Sequence, residues 1–125
     1  KNTGHVLMSQ TEKITQAAAT STTDIIIPAN SQLVSAALSV SVIWSGAGST
    51  VGLGYVGAAT AFTAAQAIAG GTLGIIDITA GAVKANVDAW ADVGVTDRRL
   101  LLTYDNLGAG EGWITVTYIQ NVNVG

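Results

Sequence analysis

The 125 residues leave room for one hydrophobic core. With 10% charged and 49% hydrophobic residues, the surface must be finished largely with Ser, Thr, Asn, Gln, Gly and Ala, an exterior that suits a neighbouring protein better than bulk water. A formal net charge of −3 offers no basic footprint for a phosphate backbone, no apolar run reaches the ~18 residues of a spanning helix, and the lack of Cys excludes disulfides and thiol chemistry. The expected partners therefore include neither nucleic acid nor membrane.

In chain order, residues 1–12 show no clear period and are expected to form an arm, with residues 13–125 as a single domain. Lys1 to Gln10 carries no apolar h-region, so no signal peptide is expected there. The arm's His5, Val6, Leu7 and Met8 suit docking on a neighbouring subunit. Strands are expected at Lys13 to Ala17 and Asp24 to Ile27. From Leu33 to Trp44 the residues Val34, Ala36, Leu38, Val40, Val42 and Trp44 alternate with smaller or polar ones, the two-residue period of a half-buried strand.

Further strands are expected at Val51 to Val56, Leu73 to Ile78, Val83 to Ala89, Leu100 to Tyr104 and Trp113 to Ile119. In the last, Ile114, Val116 and Tyr118 share one face, and its threonines favour strand over helix. Ala58 to Ala69 is rich in Ala, with Phe62, Ala65, Ile68 and Ala69 at helical spacing, so a short helix is expected there, crossing one end of the molecule. Turn residues punctuate the rest, including Pro28-Ala-Asn30, Gly70-Gly71 and Ala80-Gly81. The fold class is all-β, an antiparallel β-sandwich of about eight strands, the number of a jelly roll.

Four groups of residues invite a chemical reading. Gly52-Leu-Gly54-Tyr-Val-Gly57 matches the dinucleotide fingerprint, with Asp77 following at a suitable distance. That motif needs a buried strand running into the first glycine, and Ser45 to Thr50 interrupts it. The residues after Asp77 are also too few for a second nucleotide-binding half. The glycines are better read as places where a twisted strand bends or packs closely, and no cofactor is expected. Asp105 to Gly112 is oxygen-rich but lacks EF-hand spacing, so it is read as a hairpin connection and no metal is expected.

His5 is the sole imidazole, which excludes a multi-histidine metal site within one subunit and makes a Ser-His-Asp triad a poor reading. Asp88, Asp92 and Asp97 surround Trp90 and precede Arg98 and Arg99. Two facing carboxylates could serve glycoside hydrolysis, but such a run is more simply a solvated loop with ion pairs, with Trp90 and the arginines anchoring an interface. No enzymatic activity is expected.

Taken together, Asp24-Ile-Ile-Ile-Pro-Ala-Asn-Ser31, the alternating strand to Trp44, Val51-Gly-Leu-Gly-Tyr55, the Ala-rich segment with Phe62, Leu101-Leu-Thr-Tyr-Asp105 and Gly110-Glu-Gly-Trp-Ile-Thr-Val-Thr-Tyr118 form a wider pattern. It resembles the tailed-phage virion structural proteins with a jelly-roll domain, including capsid decoration or cement proteins, over roughly Asp24 to Gln120. The resemblance implies a non-enzymatic protein on the exterior of the phage head. Its partners would be the major capsid protein and copies of itself, as a homo-oligomer expected to be a trimer. The expected contacts are His5, Val6, Leu7, Met8, Trp90, Arg98 and Arg99. The alternative is a receptor- or glycan-binding β-sandwich module of a tail or fibre protein, with Trp90, Trp44 or Tyr55 as stacking platforms.

Overall fold

The computed structural model describes residues 6–16, 20–44, 50–67, 73–104 and 108–120. In chain order the elements are β1 (Val6–Thr15), β2 (Thr20–Ile27), β3 (Gln32–Val42), β4 (Thr50–Tyr55), β5 (Ala58–Ala67), β6 (Gly74–Ile78), α1 (Lys84–Ala91), β7 (Arg98–Tyr104) and β8 (Glu111–Gln120). The strands form two four-stranded antiparallel sheets, ordered β1-β8-β3-β6 and β2-β7-β4-β5.

This order follows from one pairing rule. β1 pairs with β8, β2 with β7, β3 with β6 and β4 with β5. The chain thus doubles back on itself as a long antiparallel ribbon with the β4–β5 hairpin at its tip. Rolling the ribbon lets its two strands zip across their outer edges, β3 onto β8 and β4 onto β7. The result is the eight-stranded, two-sheet arrangement of a jelly roll.

Side-chain alternation decides which faces meet. Along β8, Ile114, Val116 and Tyr118 are buried while Trp113 stands exposed. Along β7, Leu100, Leu102 and Tyr104 are buried. Ile25 and Ile27 of β2, Leu38 and Val40 of β3, Val51 and Leu53 of β4, and Phe62 of β5 complete the core between the sheets. In β3 the alternation breaks, because the register against β8 shifts between Leu33 and Ser35 and again between Val40 and Val42. Each bulge flips the face. Leu33 is buried whereas Val34 and Val42, expected on the core face, are exposed.

Three sequence expectations are corrected. Ala58–Ala67 is the strand β5, not a helix, because the Gly57 turn (φ 102°) sends it straight back along β4. Its β-branched Thr60 and Thr63 accord with that state. Val83 to Ala89, expected as a strand, falls largely in the helix α1. That helix lacks an N-cap side-chain bond and has no acidic residue in its first turn, so its sequence carries none of the usual start signals. What holds it is tertiary: Trp90 Nε1 donates to the Phe62 carbonyl at 2.8 Å. The Asn86 amide, turned so that its nitrogen faces β5, donates to the carbonyls of Thr60 and Ala61 at 3.0 and 3.1 Å.

The third correction is that residues 6–12, expected as an arm, are part of β1 and pair with β8 from Val6↔Gln120 to Glu12↔Ile114. β1 is an edge strand, and among its residues with described side chains Ile14 alone is buried, so no hydrophobic period marks it.

Leu38 is wholly buried in this core. Leu38→Ala should lower stability by about 2–5 kcal/mol, the usual range for a large-to-small core substitution, measured as a shift in the denaturant midpoint.

Candidate functional site

The outward face of the β1-β8-β3-β6 sheet is built in rows across the strands, because residues directly opposite in a ladder project to the same side. Lys13, Trp113, Ser39 and Ile75 form one row, and Thr11, Thr115, Ala37 and Asp77 the next. Ser9, Thr117 and Ser35 follow, then Leu7, Ile119 and Gln32. The middle rows are hydroxyl ladders, with Thr11 against Thr115 at 2.9 Å and Ser9 against Thr117 at 3.3 Å. At the two ends stand apolar groups, Trp113 at 45%, Ile75 at 74% and Leu7 at 64% exposure. Lys13 and Glu111 neutralise each other at 2.7 Å.

Charge is concentrated elsewhere. Lys84 and Asp88 pair at 2.7 Å on α1, and Arg99 reaches Asp24 at 3.3 Å on the other sheet. Asp92 and Asp97 act on backbone, accepting from the amides of Gly94 and Ala29 at 2.9 Å each. The acidic run around Trp90 therefore stabilises a helix and two turns, and the described residues hold no cluster of three or more metal-ligating side chains.

An aromatic string crosses the helix side of the sandwich. Trp90 bonds the Phe62 carbonyl, the Phe62 ring meets Tyr55 edge-on at 5.5 Å, and the Arg98 guanidinium lies 4.1 Å over the Tyr55 ring. Arg98 also donates from Nε to the Val93 carbonyl at 3.1 Å, while Arg99 donates to the Thr23 carbonyl at 3.2 Å. Both arginines are thus engaged within their own chain. Of the three proposed stacking platforms, Trp44 is buried and Tyr55 has Arg98 over its ring. Trp90 lines a cleft of about 270 Å³ with Val34, Ser35, Asp77, Ile78 and Ala80 among its walls.

The remaining expected contact residues divide. His5 lies outside the described residues, and Val6 opens β1. Leu7 is on the outward face described above, paired with Ile119, and Met8 is 41% exposed. The structure does not gather Leu7 with Trp90, which belongs to the helix against β5. Trp113, Ile75 and Val42 are exposed apolar residues that the sequence reading did not single out as contacts. Trp113 was legible as facing opposite to Ile114, but only pairing shows that Ile75 shares its row.

The glycine motif does structural work. Gly52 and Gly54 lie in β4, and a side chain on Gly54 would drive its Cβ into the Ala58 and Ala59 carbonyl oxygens of β5. A strand-to-strand hairpin stands where the dinucleotide fingerprint requires a strand-to-helix turn. At another end of the sandwich, Gly110 packs on Trp44, whose ring lies 5.5 Å from Tyr104. The calcium-like segment belongs here, with residues 105–107 outside the described residues.

No protein-family model matches the sequence, and no curated protein matches it. Solved structures do. A chain of the cyanophage Pam1 capsid asymmetric unit is similar with a TM-score of 0.64, over 97% of this chain and 89% of that one, at 16% identity. A chain of the Ralstonia phage GP4 capsid is similar with a TM-score of 0.63, over 94% and 86%, at 17% identity. The fold is shared with chains of phage capsids. At such identity the likeness carries the jelly-roll fold and not the roles of single residues.

Two tests follow from this geometry. Gly54→Ala forces β4 and β5 apart and should cost about 1–3 kcal/mol or more, read from the denaturant midpoint. Burial pushes the Tyr104 phenol above its ordinary value, with nearby Ser21 pulling it partly back and Glu12 adding a smaller upward push. The folded state thus favours the protonated phenol. Its contribution is intact below the unfolded value of about 10 and is lost as pH rises through the folded one. Stability should fall in that alkaline window, and Tyr104→Phe should flatten this part of the profile in pH-dependent denaturation.

Proposed function

We propose that this protein is a structural component of a phage particle, a decoration or cement protein that binds the outer surface of the head and stabilises it through oligomeric contacts. The observation that carries the reading is the jelly roll shared over almost its whole length with chains of two phage capsids. The sparse charge supports it, since a chain with only 10% charged residues presents a weakly solvated surface that is better covered than exposed. Binding only the assembled shell stabilises that state by mass action, as a ligand stabilises the form it prefers. No bond is made or broken.

In this reading the major capsid protein and further copies of the chain are the partners, with a trimer as the expected assembly. Leu7 and Met8, together with His5 and Val6, are proposed contacts at the start of the chain. Trp90, Arg98 and Arg99 are proposed contacts as well, each held in place by a bond to a backbone carbonyl of its own chain.

The experiment is co-sedimentation of the purified chain with intact and with chain-depleted phage particles, paired with the temperature at which the heads burst. The chain is expected in the particle pellet at a fixed ratio to the major capsid protein, and depleted heads are expected to burst at lower temperature. Its consistent absence from the pellet would remove the proposal.

A further inference from the structure

We infer that the outward face of the β1-β8-β3-β6 sheet, with Trp113 at one end, is the surface through which copies of this chain meet one another. The inference rests on the oligomeric part of the reading above and assigns it a place.

Three properties of the face favour a second copy as its occupant. The first is charge. Every contact in a homo-oligomer sets this chain against itself, and the chain carries a net −3, so copies approach best where charge is sparse. On this face Lys13 and Glu111 cancel at 2.7 Å, and Asp77 stands at the margin, on the edge strand β6. The ionised groups of α1, β2 and β7 are on other surfaces.

The second property is desolvation. A hydroxyl taken out of water costs free energy unless it keeps a partner. Here the central hydroxyls already bond across the ladder, Thr11 with Thr115 and Ser9 with Thr117, so covering them strands fewer donors than four unpaired hydroxyls would. Around them, Trp113, Ile75 and Leu7 supply apolar area that gains by leaving water, and tryptophan is enriched where interfaces hold most tightly.

The third is area. Four strands at about 4.8 Å spacing and a ten-residue strand at about 3.3 Å per residue give a face of roughly 600 Å². Two surfaces of that size bury about 1,200 Å², the lower end of the range for specific protein contacts.

The test uses the full chain and its mass in solution by light scattering across a dilution series. Wild type is expected at a multiple of its 12.6 kDa chain mass. The double variant Trp113→Glu, Ile75→Glu is expected at a single chain mass, with the apparent dissociation constant raised roughly a hundredfold or more by charges forced into an apolar contact. Both positions are exposed, so circular dichroism should match wild type, and Ile75→Glu alone serves if the pair perturbs folding. Lys84→Glu, on the helix, should leave the mass unchanged.

A wild type that stays monomeric, or an oligomer that survives both Trp113→Glu and Ile75→Glu, would overturn the inference. Co-sedimentation separates it from the reading it rests on. A monomer that still pellets with particles removes the face as a self-contact and keeps the virion role. An oligomer dissolved by the variants that never pellets does the reverse.

Discussion

The pairing of β8 with two strands at once is the constraint on which the rest of this molecule depends. β8 holds β1 on one side and β3 on the other, over registers of ten residues and nearly as many. Its side chains alternate without interruption, and a one-residue slip would exchange Ile114, Val116 and Tyr118 for Trp113, Thr115 and Thr117 in the core. Because burial forbids that exchange, β8 sets the faces of its neighbours. The bulges in β3 are the adjustment that lets Leu33 and Leu38 both point inward against a strand that does not yield.

Close approach of small residues is the second device of this fold. Gly54 lets the β5 backbone pass within contact of β4, and Gly110 lets the end of the sheet close over the Trp44 ring. Where larger proteins fill such places with side chains, this one brings backbone to backbone. On β5, which lies between β4 and the helix α1, Phe62 sits wholly in the core.

Function in this reading is a matter of surfaces. The sandwich leaves most charge on the helix and on the β2–β7 side, and leaves a sparsely charged, hydroxyl-laddered face with apolar ends on the other sheet. A fold shared with phage capsid chains, a scarcity of solvating charge and a face that can be dried at low cost are consistent with one another. Each describes a protein whose free energy is lowered by being covered. The acidic run and the glycine motif, which could each have suggested chemistry, are accounted for by turns and close packing.

Local sequence was sufficient for the elements whose burial is periodic. β8, most of β3, and the core residues of β2 and β7 were legible because water on one side and core on the other impose a two-residue rhythm on the side chains. The uncovered exterior was legible too, because composition alone reports a shortage of charge. Tertiary structure decided the rest. β1 has no rhythm because Ile14 alone of its described side chains is buried, and β5 imitates a helix because alanine favours one locally, whereas the Gly57 turn sets its pairing with β4. α1 lacks caps because its partners are β5 carbonyls remote in sequence. The row joining Lys13, Trp113, Ser39 and Ile75 draws on four strands, and only hydrogen-bond register between distant segments can bring such residues onto one face.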